Sequence, residues 1–149
     1  MAENKWIPDT LYSDILANVP ISCVDFCLVS EGKILLVYRK DFPAKDQWWV
    51  PGGRVYKGEM MRETVERKCM EELCIDCFVG PIVHTDETIF SDGPLGQCTH
   101  SINSCFLAYP KDSQNIILDS RHADYRWVNT IDSYLHDYVK ECLKGAGLR

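Results

Sequence analysis

Three polar side chains near the middle of the chain have the spacing of a metal site. Lys68, Glu71 and Glu72 stand at positions i, i+3 and i+4, so they share one face of a helix that contains them. Two adjacent carboxylates that project together bind a hard divalent cation such as Mg²⁺. The preceding turn contains Gly52 and Gly53, where the absence of a side chain lets a backbone carbonyl come close. The segment therefore predicts a Mg²⁺ site.

These residues belong to a longer spaced pattern in residues 52–75. The segment resembles the Nudix box, in which glycine, glutamate, arginine, two more glutamates and an apolar residue stand at fixed separations. The matching positions are Gly53, Glu59, Arg67, Glu71, Glu72 and Ile75. A multi-residue motif in its expected turn–helix context is far more specific than a pair of glutamates. The resemblance implies an α/β/α sandwich around a mixed sheet, with Gly52, Glu71 and Glu72 as metal ligands.

Two positions depart from the Nudix pattern. Lys68 stands where the family has a glutamate that binds metal and often acts as the general base, and Cys74 stands where the family has glycine. The ammonium removes one carboxylate and adds positive charge beside the two glutamates. We therefore expect a single Mg²⁺ and a general base from elsewhere in the chain. The alternative is a degenerate, inactive box.

A second segment supplies a candidate for that base. Residues 119–127 read Asp-Ser-Arg-His-Ala-Asp-Tyr-Arg-Trp. They resemble part of the GDP-mannose mannosyl hydrolases, a Nudix branch that also lacks the usual glutamate and takes as its base the histidine before Asp-Tyr-Arg-Trp. The resemblance assigns this role to His122. Histidine suits it because the side chain changes charge near neutral pH. The alternative is a loop histidine without a catalytic role.

Further residues agree with this branch. Asp25 lies in an apolar strand, where burial is costly unless the carboxylate is paired or reaches a cleft. The branch implies that Asp25 assists leaving-group departure and that Arg39 and Arg54 contact the diphosphate, as a guanidinium fork can. Arg121 is a departure, since the branch has a glutamine metal ligand there and arginine cannot bind Mg²⁺. We expect either that Arg121 contacts phosphate or that water takes the ligand position.

Length and charge restrict the class of protein. The 149 residues predict one domain, 1–149, in which residues 1–20 form an N-terminal helical extension. The net charge of −6 argues against a nucleic-acid partner. A membrane helix and a signal peptide both need a longer apolar run than the chain offers, so we expect a cytoplasmic protein without a membrane partner. The eight cysteines are then expected to be buried free thiols, and a zinc site at Cys74 and Cys77 is the weaker alternative.

The hydrophobic pattern predicts a mixed α/β domain. We expect helices at 9–19, 59–73 and 132–144, and strands at 21–30, 34–39, 48–50, 78–84, 101–109 and 125–128. One stripe of the second helix should face the core, and it consists of Met61, Val65, Cys69 and Leu73.

Three hypotheses of function follow. The first is Mg²⁺-dependent hydrolysis of a nucleotide sugar similar to GDP-mannose at its glycosyl carbon, in which His122 activates water and the products are nucleoside diphosphate and free sugar. The branch also implies a homodimer. The second is a conventional Nudix pyrophosphatase that attacks phosphorus, which Lys68 disfavours because the usual base is missing. The third is a nucleotide-sugar sensor without turnover.

Overall fold

The elements of the chain alternate between strands and helices. The computed structural model describes residues 6–112 and 115–149, and the first five residues of the expected N-terminal extension lie outside these ranges. In order, the elements are α1 (Asp9–Asn18), β1 (Ile21–Ser30), β2 (Lys33–Arg39), β3 (Trp48–Trp49), β4 (Gly52–Arg54), α2 (Met61–Leu73), β5 (Cys77–Phe90), β6 (Thr99–Pro110), β7 (His122–Val128) and α3 (Asp137–Gly145). A 3₁₀ turn at Pro94–Gly96 connects β5 to β6.

The sheet contains parallel and antiparallel strands, and β1 and β2 separate from each other beyond their hairpin. Its main strand order is β3-β2-β1-β6-β5, with β4 on β1 and β7 on β2. Strands β1 and β6 are parallel, and the other pairs are antiparallel. Strands β1 and β2 pair only beside their hairpin, where Val29 faces Ile34 and Ser30 faces Lys33. Further along, β1 pairs with β4 instead, so the sheet divides between β1 and β2.

Helices cover both faces of the sheet, which gives the α/β/α sandwich that the resemblance implied. Successive side chains of a strand point to opposite faces. Val24, Phe26 and Leu28 of β1 accordingly pack with Val65, Cys69 and Leu73 of α2. Cys27, which points the other way, packs with Val139, Cys142 and Leu143 of α3. The fold class predicted from the sequence is confirmed.

Two helices begin later than predicted. Helix α2 begins at Met61 rather than Glu59, because the Glu59 carboxylate accepts hydrogen bonds from the Tyr56 N–H and the Thr64 hydroxyl ahead of the helix. Helix α3 begins at Asp137 rather than residue 132, since the His136 ring accepts the Tyr138 N–H and caps the helix there.

The predicted core stripe of α2 is wrong at one position. Met61 is 40% exposed, whereas Val65, Cys69 and Leu73 are buried as expected. Beside them, Thr64, Lys68 and Glu72 are also buried, so one side of the stripe is polar. Lys68 and Glu72 of this polar side line a cleft of the protein.

Strand β5 is twice as long as the predicted 78–84 and reaches Phe90, with two register shifts against β6 between Val79 and His84. Strand β7 begins at His122 rather than Tyr125, because its first residues pair with the end of β2.

The cysteines only partly follow the expectation. Cys27, Cys69, Cys77, Cys105 and Cys142 are buried free thiols, whereas Cys74 and Cys98 are exposed. Among the described residues, no helix has the length and apolar character needed to span a membrane.

Cys74 carries local backbone strain. It ends α2 with φ 55° and ψ 36°, the left-handed conformation that favours glycine, and its side chain is exposed. We expect Cys74→Gly to stabilise the protein by about 1 kcal/mol, since a Cβ in this conformation costs about 1–2 kcal/mol. Urea denaturation measures the change. Cys74→Ala is the control, because it keeps the Cβ and should show little gain; equal gains in both variants would contradict the strain argument.

Candidate active site

One cleft brings together every site residue predicted from the sequence. It has a volume of about 1130 Å³ and opens where β1 and β2 separate. Its lining includes Asp25, Arg39, Gly52, Arg54, Glu71, Glu72, Arg121 and His122. These residues come from β1, β2, β4, α2 and the start of β7, so five segments that are distant in sequence meet in one place.

The Glu72 carboxylate lies at the centre of the polar contacts. Its side chain is 3% exposed. Oε1 accepts the Gly52 N–H at 3.2 Å and lies 3.6 Å from Lys68 Nζ, and Oε2 lies 3.1 Å from His122 Nε2. Burial raises the pKa of Glu72, and the charges of Lys68 and His122 oppose that rise. The carboxylate is thus surrounded by groups that compensate its charge.

His122 is oriented by a second carboxylate. Its Nδ1 lies 2.7 Å from Asp119 Oδ1, and its side chain is almost fully buried. Nε2 has no partner with hydrogen-bond geometry among the described residues, although Glu72 Oε2 lies 3.1 Å away. Two carboxylates therefore face the two ring nitrogens, and only the bond to Asp119 is well aligned.

This cluster fits a divalent cation. Glu72, Asp119 and His122 each offer one ligand atom, and these atoms lie within 4.8 Å of one another. Two carboxylate oxygens, from Glu72 and Asp119, suit a hard cation such as Mg²⁺. Cys74 and Cys77 are not part of this cluster, which is the one group of three or more metal-ligating side chains found among the described residues.

The two glycines before α2 permit close approach. A Cβ on Gly52 would lie 2.2 Å from Asp25 Oδ1 and from the Val24 carbonyl oxygen, so a side chain is excluded there. A Cβ on Gly53 would lie 2.6 Å from Lys68 Cε. Gly52 lies opposite Asp25 at a non-hydrogen-bonded position of the ladder between β1 and β4. Its backbone N–H and carbonyl therefore point away from β1. Its N–H accordingly reaches Glu72, and its carbonyl lies on the same side, as the predicted ligand requires.

Glu71 differs from Glu72 in its surroundings. Its side chain is 45% exposed, and its oxygens bind Arg67 Nη1 at 3.1 Å and Lys68 Nζ at 3.3 Å. Arg67 in turn donates to Glu59 Oε2 at 2.7 Å and to the Arg54 carbonyl. Arg67 and Glu59, which both match the Nudix box, thus hold the turn before α2 against this helix. Glu71 lines the cleft but is not in the cluster with His122.

Asp25 and Arg39 form the inner part of the cleft. Asp25 Oδ2 accepts the Tyr138 hydroxyl at 2.6 Å. Burial raises the pKa of Asp25 to about 6, while the Tyr138 bond and Arg39 act against the rise. Burial also lowers the pKa of Arg39, against the charges of Glu72 and Asp25. Arg39 Nε donates to the Pro43 carbonyl at 2.8 Å, and its Cα faces that of His122 across β2 and β7.

The remaining predicted arginines lie at the rim. The Arg54 guanidinium is 4.8 Å from the Tyr56 ring centroid and 6.0 Å from that of Tyr12, which belongs to α1. Arg121 is exposed beside His122, and its backbone N–H donates to Asp119 at 3.1 Å. The guanidinium groups of Arg39, Arg54 and Arg121 therefore converge on one cleft from three elements.

Two residues of the site were not selected by sequence reasoning. Asp119 lies three residues before His122, in a loop whose shape the sequence does not show. Tyr138 contacts Asp25 although 113 positions separate them in the chain. An acid close to a proposed histidine base was a usable signal for Asp119, but nothing in the sequence connects Tyr138 with Asp25.

Comparisons with known proteins show the family of this chain. A family model of the NUDIX domain matches residues 21–141. The chain belongs to the Nudix family. The low-salt glycan biosynthesis protein Agl8 of Haloferax volcanii is 32% identical to this Nudix chain over 139 residues, which cover 92% of this chain and 88% of that protein.

Solved structures share the fold. The MutT NUDIX hydrolase from Burkholderia pseudomallei superimposes with a TM-score of 0.72 at 24% identity, over 86% of this chain and 98% of that chain. The MutT protein from Methanosarcina mazei Go1 gives a TM-score of 0.66 at 22% identity, over 87% and 95%. At these identities the likeness shows the Nudix fold.

Lys68 reduces the net negative charge around the candidate metal cluster. We expect Lys68→Glu to destabilise the protein without Mg²⁺ by a few kcal/mol, since the new carboxylate would be buried beside Glu72 and would be repelled by Glu72 and by the more exposed Glu71. Mg²⁺ should then stabilise this variant more than the wild type, because a ligand stabilises the folded state in proportion to its affinity. Urea denaturation with and without Mg²⁺ gives both quantities.

Lys68→Met is the control for this prediction. It removes the ammonium without adding a carboxylate, so its response to Mg²⁺ should lie between those of the wild type and Lys68→Glu. Equal stabilisation of all three proteins by Mg²⁺ would show that residue 68 does not face the metal site.

Proposed function

We propose that this Nudix protein hydrolyses a nucleotide sugar, similar to GDP-mannose, at the glycosyl carbon. The observation that carries the proposal is the contact of His122 with Asp119 directly beside Glu72. Lys68 supports it as well, because the usual box glutamate is absent and His122 offers a nitrogen in the same cleft. The relative from H. volcanii is named for glycan biosynthesis, which supports a sugar-related substrate.

His122 is the proposed base. Asp119 accepts the hydrogen of Nδ1, which selects the tautomer whose Nε2 lone pair is available for a proton. A water oxygen forms a bond to the anomeric carbon while its proton passes to Nε2. The bond from that carbon to the diphosphate oxygen breaks, and its electron pair leaves with the nucleoside diphosphate. Asp119 also stabilises the positive ring that results.

The leaving group gains negative charge, and the arginine side chains of the cleft stabilise that charge. Arg39, Arg54 and Arg121 offer guanidinium groups that suit phosphate oxygens. Asp25 assists departure from beside Arg39, with its carboxylate held by Tyr138. We propose Gly52, Glu72 and Glu71 as ligands of Mg²⁺, with Asp119 as an additional oxygen donor. A bound Mg²⁺ would neutralise charge on the diphosphate.

The products test the reaction class. We expect nucleoside diphosphate and free sugar when the protein is incubated with Mg²⁺ and a panel of nucleotide sugars that includes GDP-mannose. In ¹⁸O-water the nucleoside diphosphate should carry no label, because the water oxygen bonds to carbon and not to phosphorus. Nucleoside monophosphate and sugar phosphate, with the label on phosphorus, would instead indicate the conventional pyrophosphatase reaction. Binding without any product would indicate a sensor.

A substitution tests the base. We expect His122→Gln to lower kcat by about 10²–10⁴, the usual contribution of a general base, while the affinity for nucleoside diphosphate stays nearly unchanged. His84→Gln is the matched control, because His84 lies outside the cleft lining and should retain wild-type kcat. Wild-type turnover in His122→Gln would refute the assignment.

We also propose a homodimer. Several outward apolar side chains of α1, β5 and β6 are exposed, among them Leu11, Val19, Ile89 and Ile102. Sedimentation velocity should give twice the chain mass of 17.1 kDa, and Ile102→Glu should shift the protein towards the monomer. A monomeric wild type at high concentration would contradict this expectation.

A further inference from the structure

The far side of the cleft has a floor of neutral polar side chains. Thr88 on β5 and Ser101 and Asn103 on β6 all line the cleft, and all three are buried. Thr88 faces Ser101 in the register of these strands. Asn103 lies two residues beyond Ser101, so its side chain points to the same face of the sheet. The three residues are named the polar floor below.

Asn103 is the member with the largest unused capacity for hydrogen bonds. Its side-chain amide offers two donor hydrogens and one acceptor oxygen. Within residues 6–112 and 115–149, the side chain has one hydrogen-bond partner, the Thr88 hydroxyl, at 3.2 Å. Asn103 is only 4% exposed. Among the described residues, Asn103 Oδ1 is not one of the fully buried side-chain atoms that lack a partner, so it remains open to the cleft and can accept a hydrogen bond from a ligand there.

The polar floor lies away from the reacting end of the cleft. His122 and Arg39 belong to β7 and β2, whereas Asn103 belongs to β6. In the order β2-β1-β6 this places Asn103 two strand positions from Arg39, a separation of at least about 10 Å. The separation of β1 from β2 increases it. When the sugar carbon lies beside His122 and the diphosphate lies along the arginines, the other end of the substrate is therefore placed on the polar floor.

Two aromatic side chains line the same cleft as the polar floor. Tyr12 of α1 and Phe90 of β5 both line the cleft. Helix α1 is held in place by Gln97, whose amide donates to the Ser13 carbonyl at 3.1 Å. A neutral heterocycle needs this combination of groups, since its edge carries donors and acceptors and its faces stack on aromatic rings.

We propose that Asn103, with Ser101 and Thr88, forms the nucleobase subsite of the cleft, and that Tyr12 and Phe90 lie beside the base. The Asn103 amide pairs with the donors and acceptors at the edge of the base, and it thereby determines which nucleotide is bound. The inference rests on the proposed function for one step only, the placement of the reacting sugar beside His122.

Binding measurements test the subsite without relying on turnover. Titration calorimetry in Mg²⁺ gives the Kd of wild type and Asn103→Leu for GDP, ADP, UDP, CDP and inorganic pyrophosphate, which lacks a base. We expect Asn103→Leu to weaken binding of the tightest nucleoside diphosphate about tenfold, because one good contact to a base edge is worth at least that factor. The Kd for pyrophosphate should not change. Ser104→Ala is the matched control, since Ser104 is the next residue on β6 and lies outside the cleft lining.

A second variant guards against a simple loss of folding. Asn103→Asp keeps the size of the side chain but replaces donors with an acceptor, so it should change the order of preference among the four nucleotides. Weakening of GDP and pyrophosphate by the same factor would indicate a structural role and overturn the subsite. So would an unchanged nucleotide affinity with a raised KM for the nucleotide sugar, which would place the glycosyl group on the polar floor.

The binding test of the nucleobase subsite and the product test of the proposed function can fail independently of each other. If the reaction occurs at phosphorus, the product assay fails while the binding result still decides whether Asn103 contacts the base. A wild type that binds no nucleoside diphosphate more tightly than pyrophosphate overturns the subsite whatever the products are.

Discussion

The burial of the Glu72 carboxylate is the constraint on which the site depends. A charge taken out of water is costly unless it is compensated at close range. The Gly52 N–H, the Lys68 ammonium and the His122 ring contact its two oxygens. Two of these contacts require another segment to be in place, namely the turn before α2 for Gly52 and the start of β7 for His122. The carboxylate thus connects α2 with both segments.

The division of the sheet provides the space for this arrangement. Strands β1 and β2 pair beside their hairpin and then separate, and β4 takes over as the partner of β1. The separation exposes the ends of both strands to one cleft, with Asp25 on one side and Arg39 on the other. Glycine at 52 is required at the same point, since a Cβ there would overlap Asp25 and the Val24 carbonyl. Backbone topology and side-chain chemistry are therefore coupled at a single turn.

The cleft is chemically divided along its length. Guanidinium groups and the Glu72 cluster come from β2, β4, α2 and the segment that leads into β7, and hydroxyl and amide groups come from β5 and β6. Charged groups suit a diphosphate and its cation, and neutral groups suit an uncharged part of the substrate. A molecule with a charged centre and a polar neutral end would match this division.

The sequence by itself determined the family, the sandwich architecture and most residues of the charged end other than Asp119, because a motif with fixed spacing places its side chains in the same way wherever its turn and helix form. Residues at positions i, i+3 and i+4 share a helix face through local geometry, so Lys68, Glu71 and Glu72 were predictable as a group. The sequence did not separate the roles of the two glutamates. Only the tertiary structure buried Glu72 beside His122 and turned Glu71 towards Arg67, since burial depends on what packs against the helix. The contact of Tyr138 with Asp25, the extent of β5 and the position of Asn103 also come from long-range packing, for which no local pattern exists.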